Sequence, residues 1–289
     1  MKFLTNKKTA GYLFVLPWII GFLVFTMIPI GYSIYLSFND VTITATGIQT
    51  SWIGLTNFTR VITEDMEFIR MVWDFFMRTM ISVPLIVILG LVMALLLNQN
   101  VKGRGIFRTI FFLPVIINSG PVINMLIDLD IMTIPSLMNY EFFWVIAHAH
   151  EYSFIAEILL FILMNFILFL WLAGVQILIF LAALQKTDAG VYEAARIDGA
   201  STWEIFWRIT LPGLMPMILV NIIYTTVMYS MSALNQITDH ISANMFRLDT
   251  GFGYTSALSW IYFVIVLATL GLLVVGFVIF NRRSRGGAR

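Results

Sequence analysis

The chain contains no cysteine and little charge. Only 11% of its 289 residues are Asp, Glu, Lys or Arg, and its formal net charge is +1. Soluble globular domains carry about 25% charged residues. The absence of cysteine excludes disulfide bonds and thiolate metal sites, and the near-zero net charge gives no general attraction to nucleic acid. Hydrophobic residues make up 60% of the chain, which indicates an integral membrane protein.

Motifs for nucleotide binding and catalysis are also missing. No segment matches the phosphate-binding loop G-x-x-x-x-G-K-[ST], and no nucleophile motif accompanies the three histidines. His148 and His150 lie close together, but a metal site needs three or four ligands and only His240 remains. We therefore interpret His148 and His150 as residues of a surface loop, and we predict no catalytic residue, no metal and no cofactor in this chain.

Six apolar segments are long enough to cross a bilayer, which takes about 20 residues of helix. The first follows a basic start without a small-residue cleavage site, so we interpret it as an uncleaved span rather than a signal peptide. The sequence predicts an all-α polytopic membrane protein in which residues 1–289 form a single domain. The predicted spans lie near residues 10–37, 77–98, 105–127, 154–184, 211–233 and 256–280.

The distribution of basic residues predicts the orientation of these spans. An even number of spans places both termini on the same side of the membrane. The loops, termini and span ends on that side contain thirteen Lys and Arg residues, and the loops and span ends on the other side contain four. Because cytoplasmic loops carry the excess of basic residues, we expect both termini in the cytoplasm and loops 38–76, 128–153 and 234–255 outside. In the first external loop, Glu64, Asp65 and Glu67 are interpreted as a solvated acidic face.

The longest charged and amphipathic stretch is EAARIDGASTWEIFWRITLP, from Glu193 to Pro212. Thr187 or Asp188 can cap a first short helix, and Gly199 suits the turn that ends it. Ser201 opens a capping box with a glutamate three residues later, and Pro212 opens the fifth span. We predict a helix–turn–helix over residues 186–210, here called the EAA segment. A bare interfacial hairpin that only joins two spans is the alternative.

The pattern Glu193-Ala194-Ala195, Gly199 and Ile209-x-Leu211-Pro212 resembles the EAA motif of the permease subunits of ABC importers. The chain also resembles the carbohydrate-uptake, maltose-type, F-like branch of that family in four further blocks. Two departures are visible: Thr187-Asp188 replaces the usual Ile-Pro, and no Gly-Gly-Pro occurs in residues 233–253. The four blocks are FLAALQ (180–185), WIGLTNF (52–58), GRGIFRTIFFLP (103–114) and GYTSALSW (253–260).

The resemblance implies a type I ABC importer permease fold with six transmembrane helices in a prokaryotic plasma membrane. It implies a second and distinct permease subunit, two ATP-binding subunits that hold ATP and magnesium, and an external solute-binding protein. It further implies that the EAA segment docks on the ATPase and moves with it. The residues assigned to that interface are Glu193, Ala194, Ala195, Asp198 and Gly199.

Polar side chains inside the predicted spans are candidates for the cargo path, because such residues are costly in lipid and tend to face a cavity or the bundle interior. Amides and aromatic rings suit sugars, and the scarcity of charge in these spans favours a neutral cargo. Hydrogen bonding between helices is the alternative role. The candidates are Asn165, Trp171, Gln176, Asn221, Thr225, Tyr229 and Ser232, of which the last four share one predicted helical face.

The leading hypothesis is therefore an ABC permease for a sugar, oligosaccharide or polyol. A permease for a non-sugar solute, such as a glycerophosphodiester or a peptide-like cargo, is the first alternative. A stand-alone secondary transporter would need an intramembrane ion or proton relay, which the predicted spans lack. A membrane-embedded enzyme would need a catalytic cluster, which the sequence does not show.

Overall fold

Where the computed structural model describes the chain, it is almost entirely helical, with one two-stranded sheet. The predicted third span, the block at 103–114 and the loop containing His148 and His150 lie almost wholly outside the described residues. The structure describes residues 7–44, 47–99, 105–106, 109, 125, 154–232, 235–247 and 249–286.

The helices and strands of the described residues are numbered in chain order, and two five-residue π-helical turns lie between them. The first part of the chain contains α1 Lys7–Phe22, a π turn Leu23–Met27, α2 Ile28–Ser37, β1 Asn39–Thr44, β2 Gly47–Trp52, α3 Thr56–Glu64 and α4 Met66–Asn98. The second part contains α5 Phe154–Met164, α6 Phe166–Leu172, α7 Gly174–Lys186, α8 Ala189–Ile197, α9 Thr202–Ile205, a π turn Phe206–Thr210, α10 Leu211–Ser230, α11 Gln236–Met245 and α12 Gly251–Gly286.

Several helices have the length and composition of membrane spans. Helices α6 and α7 are joined by a bend of 52° and together have the length of one span. Within the described residues, these elements account for five of the six predicted spans. The four continuous spans run over Tyr12–Ser37, Met66–Asn98, Thr202–Ser230 and Gly251–Arg282.

The predicted fourth span, residues 154–184, is not one continuous helix. Asn165 leaves the helical conformation with φ −100° and ψ 10°, and its side-chain amide donates to the Phe161 carbonyl at 2.8 Å. The same carbonyl also accepts from the Asn165 backbone amide at 3.1 Å, and side chains that bond to the carbonyl four residues earlier often bend helices. The second break falls at Ala173, between α6 and α7. The span is therefore assembled from three shorter helices.

The predicted fifth span begins earlier than expected, and the second short helix of the EAA segment is not separate from it. The chain stays helical from Thr202 to Ser230, through the π turn Phe206–Thr210. A proline ring clashes with the carbonyl four residues before it in an α-helix. The π turn ends at Thr210, two residues before Pro212, and widens the helix over the residue four before the proline, so the proline does not start a new element.

By compactness the chain divides into two units, Met1–Trp73 with Gln236–Ile265 and Asp74–Asn235 with Val266–Arg289. In the first unit, β1 and β2 pair antiparallel in a register that sets Asn39 opposite Trp52. The Asn57 amide, in the predicted WIGLTNF block, donates to the Ser37 and Asn39 carbonyls at 3.0 Å each. Any Cβ at Gly253 would collide with the Asn39 carbonyl, so only glycine fits there.

In the second unit, α4, α6, α7 and α10 bury a shared apolar core that includes Ile86, Phe169, Phe180 and Leu214. A Cβ added at Gly90 would lie 2.8 Å from the Gln176 Cβ. The absence of a side chain at this position therefore allows α4 to approach α7 closely. Small residues serve this purpose at helix contacts in membranes.

Candidate functional site

The EAA segment begins with a side-chain cap. Helix α7 ends at Lys186, and Thr187 is extended with φ −70° and ψ 132°. The Asp188 carboxylate then accepts a hydrogen bond from the Gly190 amide at 2.9 Å. This N-cap satisfies one of the free amides at the start of α8. Of the two candidate caps, Thr187 and Asp188, it is Asp188 that caps the helix, so the departure from the family's usual Ile-Pro still leaves α8 with a capped start.

The turn after α8 closes the carbonyl end of the helix. The Ala200 amide donates to the Ala195 carbonyl at 2.9 Å, and the Gly199 amide donates to the Arg196 carbonyl at 3.1 Å. These two bonds form a Schellman motif. Gly199 has φ +82°, a left-handed conformation that costs about 1–2 kcal/mol for residues with a Cβ. The predicted turn at Gly199 is confirmed.

The helix that follows the turn begins with the predicted capping box. The Glu204 amide donates to the Ser201 hydroxyl at 3.3 Å, and the Ser201 amide donates to the Glu204 carboxylate at 2.9 Å. The two residues therefore satisfy each other's free amides. As a result, both ends of the turn between α8 and α9 are fixed by bonds within a few residues of chain.

The predicted ATPase-contacting residues lie on a well-formed but almost unburied helix. Glu193, Ala194, Asp198 and Gly199 are exposed, and Ala195 is partly buried. Helix α8 has no fully buried residue. Ile197 at its end is 86% exposed. An isolated nine-residue helix is marginal in water, so the caps of α8 and its two partly buried residues, Tyr192 and Ala195, are what hold it in place.

The predicted cargo-path residues fall into different environments. The Gln176 side chain lies between α7 and α10, fully buried. With the amide oriented so that both of its ends are paired, its nitrogen donates to the Leu172 carbonyl at 2.8 Å and its oxygen accepts from the Thr225 hydroxyl at 2.8 Å. Gln176 thus satisfies a carbonyl next to the helix break and joins two helices. Both side chains serve helix packing in this conformation.

Asn221 and Trp171 retain polar groups without a partner among the described residues. Asn221 lies one turn before Thr225 on α10 and is 0% exposed, yet neither its amide nitrogen nor its amide oxygen has a partner there. The Trp171 indole nitrogen is in the same state. An unpaired buried polar group costs about 1–3 kcal/mol. These two residues therefore have hydrogen-bonding capacity that the described helices do not use.

The remaining candidates, Tyr229, Asn165 and Ser232, lie at or near the ends of helices. The Tyr229 ring packs beside Phe75, with centroids 6.4 Å apart. Asn165 lies at the break between α5 and α6, and its side chain makes no capping bond to α6. Ser232 lies past the end of α10 at Ser230, and its hydroxyl donates to the Tyr229 carbonyl at 3.0 Å. The prediction that Ser232 shares one helical face with Asn221, Thr225 and Tyr229 is therefore wrong, because the helix ends two residues earlier.

One polar cluster was not expected from the sequence. The Asp65 Oδ2 atom lies 2.9 Å from His240 Nε2 and accepts from the Tyr254 hydroxyl at 2.8 Å, and Oδ1 accepts from the Phe68 amide at 2.9 Å. The Asp65 and His240 side chains are only 13% and 14% exposed. Interpreting Asp65 as part of a solvated face was wrong, because its partners come from residues far away in sequence.

The ionisation of Asp65 reflects this environment. Burial of the carboxyl acts to raise its pKa, but the hydrogen bonds from Phe68, His240 and Tyr254 outweigh that effect and hold the pKa below its usual range. Arg60 completes the cluster by lying over the Tyr254 ring at 5.0 Å and donating to the Asp249 carbonyl at 3.0 Å. We call Arg60, Asp65, His240, Asp249 and Tyr254 the Asp65 cluster.

Sequence comparison defines the class of protein. Residues 61–285 match the family described as "Binding-protein-dependent transport system inner membrane component", and the chain belongs to this family. It is a multi-pass membrane permease rather than an enzyme. Within the described residues, no group of three or more His, Cys, Asp or Glu side chains could hold a metal ion.

Individual relatives narrow the class. The chain is 32% identical over 282 residues to the probable ABC transporter permease protein YesP of Bacillus subtilis, covering 90% of this chain and 88% of that protein. It is 30% identical over 230 residues to the arabinooligosaccharides transport system permease protein AraP of Halalkalibacterium halodurans, covering 78% and 68%. The resemblance to ABC permeases of sugar-uptake systems is thereby confirmed.

A solved structure supports the fold. The crystal structure of a bacterial ABC transporter involved in the import of the acidic polysaccharide alginate matches with a TM-score of 0.53 at 21% identity, over 98% of this chain and 96% of that chain. At this identity the likeness concerns the fold alone. The predicted type I ABC permease fold is therefore confirmed.

Proposed function

We propose that this chain forms half of the translocation path of an ATP-driven importer for a sugar, oligosaccharide or polyol. The observation that carries the proposal is the EAA segment, a capped and almost unburied helix on a fixed turn. The proposal is also supported by the match of this chain to a family of binding-protein-dependent permeases. The sugar-system relatives support a carbohydrate cargo.

The proposed topology has six spans with both termini in the cytoplasm of a prokaryotic cell. The basic residues support this orientation. The Asp65 cluster supports it independently, because it joins residues 60–65 to residues 240–254. A six-span arrangement puts both of these segments outside the membrane, on the same side.

In the proposed mechanism, α8 docks on a partner subunit that binds ATP and magnesium and hydrolyses the ATP. Glu193 is exposed and makes no ion pair within the described part of the chain, so it is free to pair with a basic residue of the ATPase. The exposed Ala194 allows close approach of the two backbones, whereas Ala195 is partly buried and borders this surface on the side that faces the rest of the chain. Asp198 and Gly199 hold the turn that orients the helix. Interfacial charge pairs of this kind contribute more to register than to affinity.

The complete importer in this proposal contains a second, distinct permease, two ATPase subunits and an external solute-binding protein. Transport proceeds by alternating access, as expected when a binding site lies between two rocking bundles. Among the candidate cargo contacts, Asn221 and Trp171 are the strongest because their polar groups lack partners among the described residues. Gln176 and Thr225 bind each other in this state and would reach cargo only after a rearrangement. Tyr229 offers a ring that could stack on a sugar.

The test of the proposal is a pull-down of the tagged chain from native membranes in mild detergent. We expect a nucleotide-hydrolysing subunit to co-purify with the wild type and to be lost in Glu193→Lys, which reverses the charge on α8. Glu67→Lys is the matched control, since it makes the same charge change at an exposed residue of α4. If no ATPase co-purifies with the wild type, Glu193→Lys or Glu67→Lys, the proposal is contradicted. The stand-alone transporter then becomes the preferred interpretation.

A further inference from the structure

Helix α8 rests on the rest of the chain through one narrow face. Seven of its nine residues are exposed, and the two that are partly buried are Tyr192 and Ala195. Residues three apart lie on the same side of a helix. This side faces inward, whereas Glu193, Ala194 and Ile197 remain on the exposed surface.

The Tyr192 side chain reaches the helix that becomes the fifth span. The Thr210 hydroxyl donates to the Tyr192 hydroxyl oxygen at 3.3 Å. Thr210 is 8% exposed and is the last residue of the π turn. The separation is longer than the usual 2.7–2.8 Å between hydroxyl oxygens. We therefore expect the tyrosine ring to hold α8 at its distance from the fifth span, and the two hydroxyls to fix the position of the ring along that span.

This contact gives α8 a second attachment to the fifth span. The first is the turn from Asp198 to Ser201, held by the Schellman motif and the capping box. Tyr192 lies six residues before Asp198, about 9 Å away at 1.5 Å per residue. A helix attached at one end alone can swing about its turn. A helix attached to the span both at its turn and at Tyr192 moves together with the helix that carries it.

We propose that Tyr192 is a positioning residue that converts displacement of α8 into displacement of the fifth span. The inference rests on the proposed function, because it presumes that an ATPase moves α8. In this arrangement the exposed residues of α8 receive the motion, and Tyr192 with Thr210 passes it to Leu211–Ser230. Loss of the contact leaves the ATPase docked but lets α8 swing without the span.

The experiment measures cargo transported per ATP hydrolysed by the complete importer in proteoliposomes. We expect Tyr192→Phe and Thr210→Val each to lower this ratio about 2-fold, in line with the loss of one weak hydrogen bond. The double variant should be no worse than either single variant, since both remove the same contact. Tyr192→Ala removes the ring as well and should lower the ratio about 10-fold, with ATP hydrolysis and ATPase binding retained.

The control is Tyr224→Ala, which truncates a tyrosine on α10 that is 38% exposed and lies outside the EAA segment. The inference is overturned if Tyr192→Ala assembles with the ATPase and transports as much cargo per ATP as the wild type. If Tyr192→Ala no longer binds the ATPase, the test is the comparison of Tyr192→Phe, Thr210→Val and the double variant. The inference is then overturned if the two single variants lower the cargo transported per ATP by amounts that add up in the double variant. Failure of the wild-type chain to bind any ATPase would instead contradict the proposed function.

Discussion

The EAA segment and the Asp65 cluster are both held by polar contacts, but over very different distances along the chain. In the EAA segment the caps and the turn join residues two to five apart, and the longest bond, from Tyr192 to Thr210, spans 18 residues. In the Asp65 cluster, the bonds to His240 and Tyr254 span 175 and 189 residues. The first region is specified locally, and the second exists only when distant segments have come together.

The two regions also differ in their contact with solvent. Helix α8 exposes most of its side chains, whereas the Asp65 and His240 side chains are nearly covered. A local, exposed structure is able to meet a partner subunit without rearranging its own fold. A distant, covered cluster instead stabilises the arrangement of α3, α11 and the start of α12 within the first unit. Substitutions should therefore affect transport in one region and stability in the other.

The largest expected effect is on transport, from Gly199→Val. A β-branched side chain at φ +82° is strained and should displace the turn that orients α8. We expect membrane insertion to persist and uptake of labelled cargo into cells to be lost. Gly213→Val is the control, because a Cβ there meets no atom within 4 Å and φ is not left-handed. Equal uptake by both variants would show that the turn does not matter for coupling.

The second effect is on stability, from Asp65→Ala. The change leaves His240 and Tyr254 without their shared acceptor, and hydrogen bonds to charged groups contribute about 1.5–3 kcal/mol. We expect the free energy of unfolding of the purified chain in detergent to fall by about 2–3 kcal/mol. Glu67→Ala, at an exposed position, should change it by less than about 0.5 kcal/mol. Similar losses in the two variants would remove the distinction between the cluster and a solvated acidic surface.

A third prediction uses the pH dependence of the same cluster. Because the folded chain holds the pKa of Asp65 below its usual range, this carboxylate stabilises the fold fully above the unfolded aspartate pKa of about 3.9. That contribution is lost as pH falls through the lower folded pKa. We expect the stability difference between wild type and Asp65→Asn to shrink as the pH is lowered from 6 to 3. A difference that grows on acidification would mean that the folded chain raises the pKa of Asp65 instead of lowering it.

The smallest effect should come from Ser201→Ala, which removes the capping box but no distant contact. Loss of an N-cap costs about 1 kcal/mol, so amide hydrogen exchange at the first turn of α9 should accelerate about 5-fold. The amides around Asp65 should exchange as in the wild type, because additivity holds for independent sites. Acceleration in both regions would show that they are not independent.

This contrast explains which features sequence reasoning could predict. The Asp188 cap, the Gly199 turn and the pairing of Ser201 with Glu204 follow from short patterns, because both partners lie within one helical turn. The pairing of Asp65 with His240 and Tyr254 has no local signature. A run of three acidic residues in four positions looks solvated until the fold brings a histidine and a tyrosine to the middle one.

The departures within the spans have a similar cause. Apolar composition locates membrane helices but does not record where their backbone bends. At Asn165 the backbone leaves the helical conformation although its amide still donates to the Phe161 carbonyl, and Gln176 pairs with a carbonyl near the second break. Ser232 was assigned to a helical face by spacing alone, although the helix ends at Ser230. The positions of helix breaks and ends decide which polar side chains bond to neighbouring helices and which keep polar groups without a partner, and these positions are visible only in the structure.

The continuous helix from Thr202 to Ser230 has a mechanical consequence. Thr210 divides it into an arm of about nine residues on the side of the turn and an arm of twenty residues through the membrane. Because α8 is attached to this helix at the turn and again at Thr210, a displacement of α8 would enter the helix at both ends of the shorter arm and reach the twenty-residue arm directly. In the proposed mechanism, a motion of α8 is therefore carried along one continuous helix into the bilayer, with no loop between Thr202 and Ser230.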